Sequence, residues 1–202
     1  MRKKKTRKVR SFRFPLLDTV VACYYIIAPS ECSANLARYD GIRYGPGLEE
    51  GEYDNLLDYY FKVRGKGFGD EVRRRILVGT FSLCSGYYDA YYLKANQVRG
   101  MIIEEFEKIF KEVDILVSPT YPALPWKIGR FREDPVALYN SDLFTIPPNL
   151  TGYPSISIPG GFSPEGLPIG IMLMSRYKDE ENLFRVAKIF EQNNPFYLRS
   201  PF

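Results

Sequence analysis

Apolar residues recur along this chain in two rhythms, one helical and one extended. Between Tyr87 and Val113 they fall three to four residues apart, at Leu93, Val98, Ile102, Phe106 and Ile109-Phe110. Glu104, Glu105, Glu107, Lys108, Lys111 and Glu112 fill the opposite side, so the pattern predicts an amphipathic helix with one wet face. Leu16 to Ala28 reads as a mostly buried helix stopped by Pro29, with a short helical restart through Leu36 and a turn at Asp40-Gly41. Ile42 to Gly51 is loop. Asn55 to Val63 is helical again, closed by the glycine-rich Gly65-Lys66-Gly67-Phe68-Gly69. Three short runs, Asp114 to Thr120, Ser155 to Gly161 and Leu167 to Met174, are apolar and bounded by proline or glycine, hence buried strands. Tyr121 to Glu133 is irregular. Pro135 starts a helix after Asp134 that carries Tyr139, Asp142 and Phe144 and is interrupted by Pro147-Pro148. Asp179-Glu180-Glu181 opens the last helix, whose apolar face is Leu183, Val186-Ala187 and Phe190. Strands alternating with helices predict an α/β domain, its mixed sheet covered by helices.

The stretch with most chemical content lies between these elements. Asp70 stands as an N-cap, Glu71 favours the helix dipole, and Arg73-Arg74-Arg75 leads into an apolar segment with small residues at Gly79, Ser82, Ser85 and Gly86. Paired tyrosines follow at Tyr87-Tyr88 and Tyr91-Tyr92. Small residues let backbones approach, and an arginine at the mouth of a buried segment can grip a carboxylate with two parallel hydrogen bonds. On spacing alone the same stretch also reads as a plain helix-turn-helix with packed tyrosines and solvated arginines.

Charge changes the picture by its location. Residues 1–13 hold eight Lys/Arg and no acid, whereas the remaining chain has 20 basic and 24 acidic residues. The body is mildly acidic and residues 1–15 are a basic tail, expected to be disordered. A nucleic-acid contact or an organellar targeting peptide is open to such a tail. The lysine run without amphipathic spacing argues against targeting, and the tail is given no function. Apolar content of 45% and charged content of 26% suit a soluble globular protein, and no apolar run reaches the ~18 residues of a membrane span. Cys23, Cys32 and Cys84 match neither a zinc site nor a disulfide framework, which fits a reducing, cytoplasmic setting (organellar in a eukaryote). With no histidine, the chain excludes Ser-His-Asp and Cys-His catalysis and histidine-ligated zinc.

Several fragments in register are more specific. Tyr24-Tyr25-Ile26-Ile27-Ala28-Pro29-Ser30-Glu31, Asn35-Leu36-Ala37-Arg38-Tyr39-Asp40-Gly41-Ile42-Arg43-Tyr44-Gly45 and Gly67-Phe68-Gly69-Asp70-Glu71-Val72 come first. Ser85-Gly86-Tyr87-Tyr88-Asp89-Ala90-Tyr91-Tyr92, Ser141-Asp142-Leu143-Phe144-Thr145-Ile146-Pro147, Asn149-Leu150-Thr151-Gly152 and Gly166-Leu167-Pro168-Ile169-Gly170 follow in order. Together they resemble the A subunits of glutamyl-tRNA(Gln) amidotransferases, a branch of the amidase-signature enzymes, from about Leu17 to about Gln192. The resemblance implies a glutaminase that releases ammonia, working with the B and C subunits of the amidotransferase on Glu-tRNA(Gln) away from any membrane. ATP and magnesium are then expected on the B subunit, with no cofactor in this chain.

Members of that family use a serine nucleophile, a bridging serine on a cis peptide and a lysine in a Gly/Ser-rich stretch. That stretch is missing here, so residues 16–202 look like the C-terminal portion of the domain, without its N-terminal half, and no catalytic residue is assigned. Ser82 and Ser85 read as structural. The resemblance maps glutamine recognition onto Tyr24, Arg75 and Asp142. The chemistry is consistent: glutamine is a zwitterion, Arg75 would meet its carboxylate, Asp142 its ammonium, and Tyr24 would close one side. Read singly, Arg75 is also a solvated arginine, Asp142 a surface acid and Tyr24 a packing residue. A stand-alone amidase-signature hydrolase of a small amide and an inactive truncated product are the other readings, and this chain by itself is expected to be inactive.

Overall fold

The computed structural model describes residues 9–129 and 135–198 and divides into two compact units, Val21–Gly100 and the remainder. Most of the basic tail and the expected role of Asp134 lie outside the described residues.

In the first unit the central element is helix α1, Leu17–Leu36, which crosses into this unit at Val21. It is one 20-residue helix rather than the two pieces expected, because Pro29 lies inside it. An interior proline costs about 3 kcal/mol by removing the bond to residue i−4 and crowding its carbonyl. Packing offsets that cost here. Pro29 is fully buried, and the buried Ser30 next to it donates its hydroxyl to the Ile26 carbonyl at 2.7 Å. The end of α1 is held from the next helix, α2 (Leu56–Gly67): Arg64 Nη1 donates to the carbonyls of Leu36 at 3.0 Å and Tyr39 at 3.1 Å. Carbonyls at a helix C-terminus lack intrahelical partners, and a guanidinium satisfies them while complementing the dipole. Asn55 caps α2 by accepting from the backbone N–H groups of Leu57 and Asp58. Between α1 and α2, the Asp40 carboxylate accepts from the N–H groups of Arg43 and Ile42, which pull its pKa down to about 2.

Helix α3 (Asp70–Leu83) starts one residue earlier than a capping Asp70 would allow. Gly69 occupies the N-cap position and Asp70 is helical, paired instead with Arg73. The buried face of α3 carries Gly79 and Ser82. A Cβ on Gly79 would lie 1.9 Å from the Pro29 carbonyl oxygen, so α1 and α3 meet backbone to backbone. The long helix expected from Tyr87 is in fact a π turn, Asp89–Leu93, followed by α4, Lys94–Phe110. Within the turn Leu93 N–H reaches five residues back to Tyr88 at 3.0 Å.

The second unit is built on a three-stranded sheet: β1 (Ile115–Pro119), β2 (Ser155–Phe162) and β3 (Pro168–Ser175), in the order β1-β3-β2. Both pairings are antiparallel, which corrects the expected mixed sheet. The link between β2 and β3 is only residues 163–167, whereas a parallel crossover needs about a dozen. Two short helices precede β2, α5 (Pro135–Asn140) and α6 (Ile146–Thr151). Pro147 and Pro148 do not interrupt a helix; they lie in the opening turn of α6, where a missing N–H costs nothing, and Gly152 closes it in the left-handed region at φ 76°. Helix α7 (Glu180–Asn193) lays Leu183 and Ala187 onto Ile158 and Leu173 of the sheet, with Ile115, Ile156, Ile171, Val186 and Phe190 around them. Each large aliphatic side chain fully buried there stabilises by about 1.5–3 kcal/mol.

Two glycines on helices make a paired test of this packing. Gly79→Ala should destabilise by at least ~2 kcal/mol in a urea titration, the scale of overpacking. Gly100→Ala, where a Cβ would meet nothing within 4 Å, should be neutral or stabilising by up to ~1 kcal/mol.

Candidate functional site

Arginines 73 to 75 share one helix turn but not one environment. The side chains of Arg73 and Arg74 are 50% and 49% exposed, that of Arg75 only 29%. Arg73 pairs with Asp70, and Arg74 with Glu71. Arg75 points its Nε at Glu71 Oε1, one turn earlier, at 2.9 Å. Its Cζ lies over the ring of Tyr25, 5.3 Å from the centroid, a distance at which the ring's negative face attracts a cation. Burial by itself would lower the Arg75 pKa; the hydrogen bond to Glu71 and the neighbouring Tyr25 outweigh it, so the guanidinium is held above its ordinary value.

From the resemblance, Tyr24 is expected to close one side of the glutamine pocket. In the structure the tyrosine stacked on Arg75 is Tyr25, and Tyr24 packs edge-on to Tyr25 with ring centroids 5.1 Å apart. Neither Tyr25 nor Glu71 stood out as a site residue in the sequence. The signal for Glu71 was available: an acid four residues before an arginine on a helix is a favoured pair. Tyr25 had no such signal, because its meeting with α3 depends on how two helices pack.

Asp142 belongs to the other unit. It occupies the turn between α5 and α6, not the helix expected for it. Its carbonyl accepts from Ile146 N–H at 2.9 Å and from the Thr145 N–H and hydroxyl at 3.0 and 3.1 Å. Its N–H donates to the Tyr139 carbonyl. The backbone that presents this half-buried acid is therefore fixed on both sides. Within its own unit, Arg75 is brought together with Glu71 and Tyr25, and through Tyr25 with Tyr24.

Hydroxyls and thiols are the remaining candidate nucleophiles. Ser82 is buried and donates to the Val78 carbonyl one turn back at 3.0 Å, a common habit of helical serines. Cys23 is 3% exposed and lies against the Ala95 carbonyl; burial pushes its thiol up to about 11 despite the opposing charge of Arg99. Among the described residues, no group of three or more His, Cys, Asp or Glu gathers to hold a metal ion, and no helix is long and apolar enough to cross a membrane. An apolar groove of about 580 Å³ between the strap Tyr121 to Trp126 and Pro168 to Gly170 has no charged side chain in its lining, so it offers a zwitterion nothing to pair with.

The sequence model of the Amidase family matches residues 1–184. The chain is similar to the A subunit of glutamyl-tRNA(Gln) amidotransferase from Nostoc punctiforme, 54% identical over 178 residues, which cover 88% of this chain and 36% of that protein. It is 50% identical over 181 residues to the protein of the same name from Halalkalibacterium halodurans, with 90% and 37% covered. Among solved structures, it superposes on the A subunit of glutamyl-tRNA(Gln) amidotransferase from Thermotoga maritima with a TM-score of 0.63 and 38% identity, covering 91% of this chain and 34% of that one. The chain thus spans between 34% and 40% of the length of such relatives.

Thiol reactivity gives a direct check on the local environments. At neutral pH iodoacetamide should label the exposed Cys84 at least about tenfold faster than Cys23, because only a thiolate attacks. Peptide mapping by mass spectrometry reads the two rates; equal rates would mean that the α1 site is open.

Proposed function

The chain belongs to the amidase family, and we propose that it is the glutamine-gripping C-terminal part of the A subunit of a glutamyl-tRNA(Gln) amidotransferase. The whole A subunit would hydrolyse the side-chain amide of glutamine to glutamate and ammonia. The ammonia would pass to the B subunit, which uses ATP and magnesium to convert Glu-tRNA(Gln) to Gln-tRNA(Gln), with the C subunit completing the complex. The serine that attacks the amide and the lysine that takes its proton belong to family sequence outside these residues.

The observation that carries this reading is the partly sheltered Arg75, stacked on Tyr25 and bonded to Glu71. A carboxylate brought to that guanidinium gains charge-assisted bonds in a spot less screened than the surface around Arg73 and Arg74. Asp142 is assigned the ammonium and Tyr24 a side of the pocket. A site built to pair both charges discriminates strongly against amides lacking them, because its own groups would be left unpaired. The three free cysteines suit a reducing cytoplasm.

Two experiments test the reading. The purified 202-residue chain should release no ammonia from glutamine; measurable release would place the nucleophile within it. In a chimera where this chain replaces the matched part of the Nostoc punctiforme A subunit, assembled with the B and C subunits, Arg75→Ala should cost at least ~2 kcal/mol in kcat/KM for glutamine. Asp142→Asn should cost a similar amount. Unchanged kinetics in both variants would remove the pocket assignment.

A further inference from the structure

We propose that Glu71 is a positioning residue for glutamine recognition: by holding Arg75 at Nε it fixes the plane in which the arginine meets the substrate carboxylate. This rests on the reading of Arg75 given above. An arginine side chain carries considerable rotamer entropy, and a fork free to rotate would surrender it on every binding event. Two contacts remove that freedom beforehand. The Glu71 carboxylate is 2.9 Å from Nε, the atom at the root of the fork, and the Tyr25 ring lies under its face. One contact sets the direction of the fork and the other its tilt. The Nη1/Nη2 edge is the part assigned to the ligand.

An acid beside a carboxylate-binding arginine would normally compete with the ligand. Here Glu71 bonds Nε rather than the Nη1/Nη2 edge, and its second oxygen pairs with Arg74. The helix spacing makes the arrangement possible, since residues 71 and 75 lie one turn apart on the same face. Glutamate reaches Nε from there; aspartate, one methylene shorter, keeps the charge but approaches Nε less closely.

The test uses the same chimera with its B and C subunits, and compares glutamine with glutamine methyl ester, which has no α-carboxylate. Glu71→Gln should raise KM for glutamine about tenfold with kcat within about twofold, while ammonia release from the ester stays unchanged. Glu71→Asp should fall between parent and Glu71→Gln, and the Glu71→Gln/Arg75→Ala double variant should be no worse than Arg75→Ala alone. If Arg75→Ala raises KM for glutamine but Glu71→Gln leaves it unchanged, the positioning role is wrong and the arginine reading stands. Equal losses on glutamine and its ester would also overturn the proposal, since that pattern reports a merely structural acid. If Arg75→Ala is itself silent, the arginine reading fails and the role of Glu71 falls with it.

Discussion

Gly79 has no room for even one side-chain carbon. The space a Cβ would take is filled by the Pro29 carbonyl, 1.9 Å away, so α3 can lie against α1 only where its backbone is bare. The consequences run one turn back along each helix. Four residues before Gly79 is Arg75, and four before Pro29 is Tyr25. Bringing the two backbones together at one level brings the guanidinium over the ring at the next, 5.3 Å from its centroid. Buried Ser82, back-bonded to Val78, keeps the rest of that face narrow and internally satisfied. The interior proline of α1 belongs to the same arrangement: its ring is buried and its carbonyl is the surface on which α3 rests.

Much of this was legible in the sequence. The strands fell where short apolar runs met proline and glycine, and α7 showed its stripe of Leu183, Ala187 and Phe190. Misreadings came where tertiary contacts override local propensity. Pro29 is a stop signal in isolation and a packed interior residue in α1. Pro147-Pro148 reads as an interruption until the start of α6 is fixed at Ile146, where two prolines fit its first turn. The mixed sheet failed because alternation of strands and helices says nothing of strand direction, whereas the short β2–β3 link does. At the site, the resemblance and not the charge pattern singled out Arg75 from its run of three, and the contact of Tyr25 with it was not legible, since no periodicity distinguishes which of two adjacent tyrosines faces another helix.

Electrostatics then explains why one arginine of three differs. Arg73 and Arg74 pair with acids three residues back in places about half open to solvent, where such pairs contribute little. Arg75 shares the same turn but sits deeper, with an aromatic face beneath it, and electrostatic attraction is stronger where water is thinner. Identical side chains thus meet unequal surroundings within one helix turn.

The π turn at Asp89–Leu93 carries a consequence of its own. Its i→i−5 bond from Leu93 to Tyr88 accommodates one residue more than an α-helix would. Each residue advances a helix by about 100°, so the turn acts as a phase adjuster between the tyrosine pairs and the stripe that begins at Ala95. Deleting a residue inside the turn would restore ordinary winding and shift the tyrosines relative to that stripe. Deleting one beyond it, between Lys94 and Met101, would instead swing Ile102 and Phe106 out of the interior. Chain length is therefore a tunable quantity in the first segment and a frozen one in the second.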